Sequence, residues 1–132
     1  MSNVFYCLVV GSRTFDNYSY MCNILDSVLK NKSEVVIVSG GAKGADRLSE
    51  RYARERGYSL KVFKADWSKG KSAGFIRNDE MHKYIAQYPN RGVVAFLDGE
   101  SEGTYHSVKL SEKYHNPLAL INYSTGNIRY FK

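Results

Sequence analysis

The chain has 132 residues, 43% of them apolar and 24% charged, a balance that fits one globular domain over residues 1–132 and excludes a disordered chain. Its apolar runs, such as Val35–Val38 and Val93–Leu97, are too short to cross a bilayer, and no basic-then-apolar leader opens the sequence. The two cysteines, Cys7 and Cys22, sit in apolar patterns and read as small core residues, so the expectation is a cytoplasmic protein with no membrane partner. The net charge of +6 permits an anionic partner, but the cations are spread among acids and read mostly as solvated helix faces.

In chain order the pattern is strand, loop, helix, repeated. Phe5–Val10 is a continuous apolar run ended by Gly11-Ser12, the signature of a strand covered on both faces. Tyr18–Leu29 carries Met21, Leu25, Val28 and Leu29 at helical spacing. Val35–Val38 predicts a second strand, stopped by Ser39-Gly40-Gly41, and Ala45–Glu55 a second helix, stopped by Gly57. Leu60–Phe63 is a weaker third strand. A polar loop over Asp66–Ser72 then leads to a helix over Ala73–Tyr88. Val93–Leu97, a helix over Glu102–Tyr114, and Leu118–Ile121 complete the pattern, with Ile128–Phe131 as an extra edge strand. This predicts an α/β, Rossmann-like, doubly wound domain with a five-stranded parallel sheet ordered 3-2-1-4-5. Ligands of such sheets bind outside the carboxyl ends of the strands, near the switch between strands one and four.

The residues at those strand ends suit an anion. Gly11-Ser12-Arg13 ends the first strand with a tight exit, a hydroxyl and a planar cation. Ser39-Gly40-Gly41-Ala42-Lys43-Gly44-Ala45-Asp46 ends the second. Its three glycines, between a strand and a helix, let backbone N–H groups approach a phosphate at a helix N-terminus. The spacing is neither that of a Walker loop nor GxGxxG. Asp46, in the first helical turn, is placed to cap the helix or to accept a ligand hydroxyl, capping being the commoner use. After the third strand come Trp67, the chain's only tryptophan, and Arg77-Asn78 early in a helix. Trp67 either stacks on a base or covers the sheet end. An Arg early in a helix opposes the dipole unless an anion compensates it. Asp98, Ser101, Gly103 and Thr104 form the loop after the fourth strand, which the pattern brings toward the same ligand. His82, His106 and His115 show no ligand spacing and read as helix-face or surface residues, so no metal and no cofactor are expected.

The stretches GSRTF (11–15), VSGGAKGAD (38–46), ADWSKGKSAGFIRNDEM (65–81) and FLDGESEGT (96–104) resemble the SLOG superfamily, in particular its small YspA-like stand-alone branch. The resemblance implies a Rossmann-like sheet that binds a nucleotide or a nucleotide-derived, ADP-ribose-like ligand as a sensor or sequestering module in nucleotide signalling. It leaves a homo-oligomer open. Arg77 to Met81 is similar to the RKxxM-type segment of the lysine-decarboxylase-like phosphoribohydrolases. Their PGGxGTxxE motif is matched only at Gly103-Thr104, with Ser107 in the place of the Glu. Catalysis is thereby ranked below binding, with Arg77, Asp98 and Glu102 as the residues that would carry a nucleotide N-glycosidic or phosphate-bond hydrolysis. A more distant likeness to DprA makes single-stranded DNA the third reading, nucleic acid ranking below a small molecule because basic and aromatic residues are not interleaved along one stretch.

Overall fold

The structure, a computed structural model, describes residues 3–98 and 102–132, residue 102 by its backbone only. Six strands form one sheet: β1 (Val4–Gly11), β2 (Glu34–Ser39), β3 (Ser59–Val62), β4 (Arg91–Leu97), β5 (Leu118–Asn122) and β6 (Asn127–Phe131). Their order is β3-β2-β1-β4-β5-β6. The first five are parallel, as the apolar runs predict, and β6 returns antiparallel along β5. Asn122 makes that return, its Oδ1 accepting the N–H groups of Ser124 and Thr125; an Asn side chain commonly mimics a turn in this way.

Alternation along each strand sends side chains to two cores. Cys7, Val9, Ile37, Val94 and Phe96 pack against Met21 and Leu25 of α1 (Tyr18–Leu29) and Tyr52 and Ala53 of α2 (Ala45–Arg56). Leu8, Val38, Val93, Ala95 and Leu120 pack against Met81 and Ile85 of α3 (Ala73–Ala86), with Val108 of α4 (Glu102–Tyr114) beside them. Helices thus cover both faces, which is the doubly wound arrangement.

Most elements extend a residue or two beyond the sequence expectations, and the differences around β3 and α3 have identifiable causes. The third strand is Ser59–Val62, one residue earlier than expected, because its register on β2 ends at the Ser39–Val62 pair. The loop at Asp66–Ser72 holds a 3-10 helix over Trp67–Ser72, started by Asp66, whose Oδ1 accepts the Ser68 N–H at 3.1 Å, and broken at Gly70. α3 ends at Ala86, not Tyr88; Pro89 disfavours helical geometry at the residue before it, and Arg91 takes the freed Tyr88 carbonyl at 2.8 Å.

His82 is not a surface residue: it is 1% exposed. Asn116 Nδ2 lies 3.0 Å from His82 Nδ1 and also donates to its carbonyl, while Asn116 Oδ1 accepts from Arg91, so the imidazole ties α3 to the segment before β5. Burial, reinforced by His106, pushes its pKa down to about 4. Cys7 is buried as expected, whereas Cys22 is only half-buried. No helix among the described residues is long and apolar enough to cross a membrane.

Candidate functional site

At the carboxyl end of the sheet the predicted residues divide between two hollows. A cleft of about 560 Å³ is lined by Arg13, Gly40, Gly41, Ala42, Trp67 and Arg77. These come from the loops after β1, β2 and β3 and from α3, so four of the sequence segments do meet. Among the described residues, none that follows β4 lines this cleft. Thr104, 3% exposed, instead lines a second hollow of about 390 Å³ with Leu97, Asn122 and Arg129, under the β5–β6 turn. Asp98 is exposed at the end of β4, and Gly103 is exposed at the start of α4. Ser101 and the side chain of Glu102 lie outside the described residues.

Close backbone approach explains how the first two loops are held together. A Cβ at Gly11 would overlap the Phe96 carbonyl and stand 2.7 Å from Ala45 Cβ, so this glycine lets α2 start against the end of β1. Gly44 is the N-cap of α2 with φ +74, and a Cβ there would collide with Ser12 and Arg13. The Ala45 N–H donates to the Ser12 carbonyl at 3.1 Å, and the Ser12 N–H to the Phe96 carbonyl at 2.9 Å. Ser12 therefore contributes its backbone to fix the loop, and its neighbour Arg13 is left exposed at the rim.

The glycine loop is braced from below. Ser39 Oγ, fully buried, accepts the Gly41 N–H at 3.1 Å and bonds Glu50 Oε2 at 2.7 Å. Asp46 does not cap α2. Its Oδ2 turns back and accepts the Ala42 N–H at 3.1 Å, and the helix N-cap has no side-chain bond. Gly41, at φ +72, gives the turn a left-handed residue that a side chain rarely allows. Two of the loop amides, those of Gly41 and Ala42, are thus already engaged by side chains beneath the loop.

The walls are cationic. Arg77 Nη1 donates to the Gly40 carbonyl at 3.0 Å and its Nε reaches Asn78 Oδ1 at 3.3 Å, so Asn78 steadies the guanidinium from outside the cleft. Lys43, Arg47 and Lys64 also line the cleft. None of them, nor Arg13, is in an ion pair among the described residues. Arg13 lies 5.5 Å from the Trp67 ring centroid. Trp67 itself is 56% exposed, so it covers no core; its indole stands at the mouth with a face for a cation or a base. Beneath them Asp46 is 5% exposed. Burial pushes its carboxyl up to about 6, opposed by the Ala42 N–H and the Arg77 guanidinium.

Sequence reasoning overlooked Arg47, Lys64 and Lys43 as lining residues. Arg47 carried a readable signal, since a cation in a first helical turn opposes the dipole just as Arg77 does. Lys64 stood just past a strand's carboxyl end, where parallel sheets bind. Lys43 was visible only as a residue between two glycines.

Comparison with known proteins fits this geometry. The chain is 33% identical over 118 residues to the Gene 61 protein of Mycobacterium phage D29, covering 84% of this chain and 91% of that protein. The model of the YspA, cpYpsA-related SLOG family matches residues 6–70, from β1 through the Trp67 segment. The chain belongs to that family. The SLOG match spans the three loops that build the cleft and stops short of α3, which supplies Arg77. Among solved structures, the DNA processing protein A of Helicobacter pylori, described for its single-stranded DNA binding mode, superposes with a TM-score of 0.62 at 20% identity. That alignment covers 89% of this chain and 65% of the DprA chain, so this SLOG domain spans about two thirds of its length. At that identity the likeness establishes a shared fold.

Proposed function

We propose that this SLOG domain binds a nucleotide or nucleotide-derived ligand, of the ADP-ribose type, in the cleft between Trp67 and the glycine loop, in a sensing or sequestering role. One observation carries the reading: Arg13, Lys43, Arg47 and Lys64 converge on the cleft with no ion-pair partner among the described residues, around a Gly40–Ala42 floor held by Ser39 and Asp46. Clustered like charges repel one another, and an anion relieves them. Four cations beside Arg77 suit more than one phosphate. Trp67, exposed at the mouth, offers the stacking face that a base or ribose needs. Ser107, in place of the phosphoribohydrolase Glu, supports binding without turnover.

A second reading has its own observation. The cleft rim carries Arg13 packed on an exposed Trp67, the pairing of cation and ring that single-stranded nucleic acid uses. Calorimetric titration with AMP, ADP, ADP-ribose and an oligothymidylate separates the two. The small-molecule reading expects saturable binding of ADP-ribose, tighter than that of AMP. Binding of the oligonucleotide alone, weakening steeply with salt as counterions are released, would overturn it.

A further inference from the structure

Among the described residues the buried acid under the cleft is in no ion pair; it borrows the charges that a ligand would use. Asp46 faces Glu50 one turn along α2, Arg13 from the loop after β1, and Arg77 from α3. Arg77 Nε and Asp46 Oδ2 both stand within 3 Å of the point where a Gly40 Cβ would sit, so the carboxylate and the guanidinium flank the space that the missing side chain leaves. Apart from the Ala42 N–H, the groups that favour an ionised Asp46 are these two arginines, and both line the cleft. A buried carboxylate is costly unless it is paired.

A phosphate that engages Arg77 and Arg13 brings its own negative charge near Asp46 and draws on the two cations that favour its ionised form, while Glu50 continues to oppose it. The relief that needs no rearrangement is a proton on Asp46, because a neutral carboxyl can still accept the Ala42 N–H and keep the loop in place. We propose that Asp46 couples occupancy of the cleft to proton uptake, so that an anionic ligand is held with Asp46 protonated and binds more tightly in mildly acidic solution. The proton comes from solvent and no covalent bond changes. This rests on the anion-binding reading of the cleft and adds a regulation to it.

The test uses probes whose phosphates do not titrate near neutrality, ADP-ribose and oligothymidylate. Calorimetry at pH 7 in buffers of differing ionisation enthalpy reads the protons exchanged. The expected result is uptake of a fraction of a proton, with affinity rising about tenfold from pH 8 to pH 6. In Asp46→Asn, whose amide oxygen can still accept the Ala42 N–H, uptake vanishes and affinity becomes independent of pH over that range. Should the variant fail to fold, the buffer comparison on the wild-type protein decides alone. Tight binding with no proton exchange would overturn the coupling and leave the anion site intact. Binding of neither probe would instead remove the anion-binding reading on which the coupling rests.

Discussion

Single residues in the cleft divide into those that hold the loops and those that face outward, and substitution should separate them. Arg13 and Trp67 are exposed, so Arg13→Ala and Trp67→Ala should leave stability within about 0.5 kcal/mol of wild type. Each should weaken ADP-ribose binding by roughly ten- to hundredfold, the worth of one charge-assisted bond or one stacked ring. Calorimetry beside thermal unfolding checks both; a loss of stability equal to the loss of affinity would contradict the division. Gly44→Ala should do the reverse. Its Cβ meets backbone of Ser12 and Arg13 at a positive φ, so unfolding should shift by 2 kcal/mol or more toward instability. The glycines were legible as a backbone approach, but not what approaches what: at Gly11 and Gly44 the neighbour is the protein's own backbone. Asp46 was legible as a first-turn acid, yet the direction of its side chain, back toward Ala42, is set by a turn that no local pattern encodes.

At the scale of elements, α2 buries an acid and α3 a base that titrate on the acid side of neutrality. Asp46 has a folded pKa near 6 against 3.8 when free, so the folded state binds the extra proton; its stabilisation is full below about pH 4 and is lost as pH rises through 6. His82 has a folded pKa near 4 against 6.5, so its contribution is full above 6.5 and is lost as pH falls through 4. Each amounts to about 3 kcal/mol at its limit, and between pH 4 and 6.5 they largely offset one another. Asp46→Asn removes one side of that balance. Unfolding followed from pH 7 to pH 4 should show the variant losing stability more steeply than wild type; parallel curves would mean that Asp46 is not coupled as described. Strands and helices were readable from periodicity to within a residue or two. Two of those small differences have a visible cause: pairing with β2 sets the end of β3, and Pro89 with the Arg91 contact sets the end of α3. His82 was misjudged for a related reason, since its partner Asn116 lies thirty-four residues away in sequence.

For the whole molecule, the strand order β3-β2-β1-β4-β5 follows from alternating elements joined by right-handed crossovers and was legible, as was an extra edge strand, though not its antiparallel direction. The convergence of loops was only partly so. Order along the sheet places β4 beside β1, yet Thr104 opens on the β5–β6 side while the cations gather over β1, β2 and β3. That asymmetry also directs the +6 net charge, which looked scattered in sequence because Arg13, Lys43, Arg47, Lys64 and Arg77 are brought together only by the fold. The central claim is that the phosphate site is this cleft and not the hollow at Thr104. Amide and indole chemical shifts, followed while ADP-ribose is titrated into the labelled protein, test it most directly. The account predicts that the largest shifts fall on Arg13, Gly40–Lys43 and the Trp67 indole; shifts centred on Thr104, Asn122 and Arg129, with the glycine loop unmoved, would contradict it.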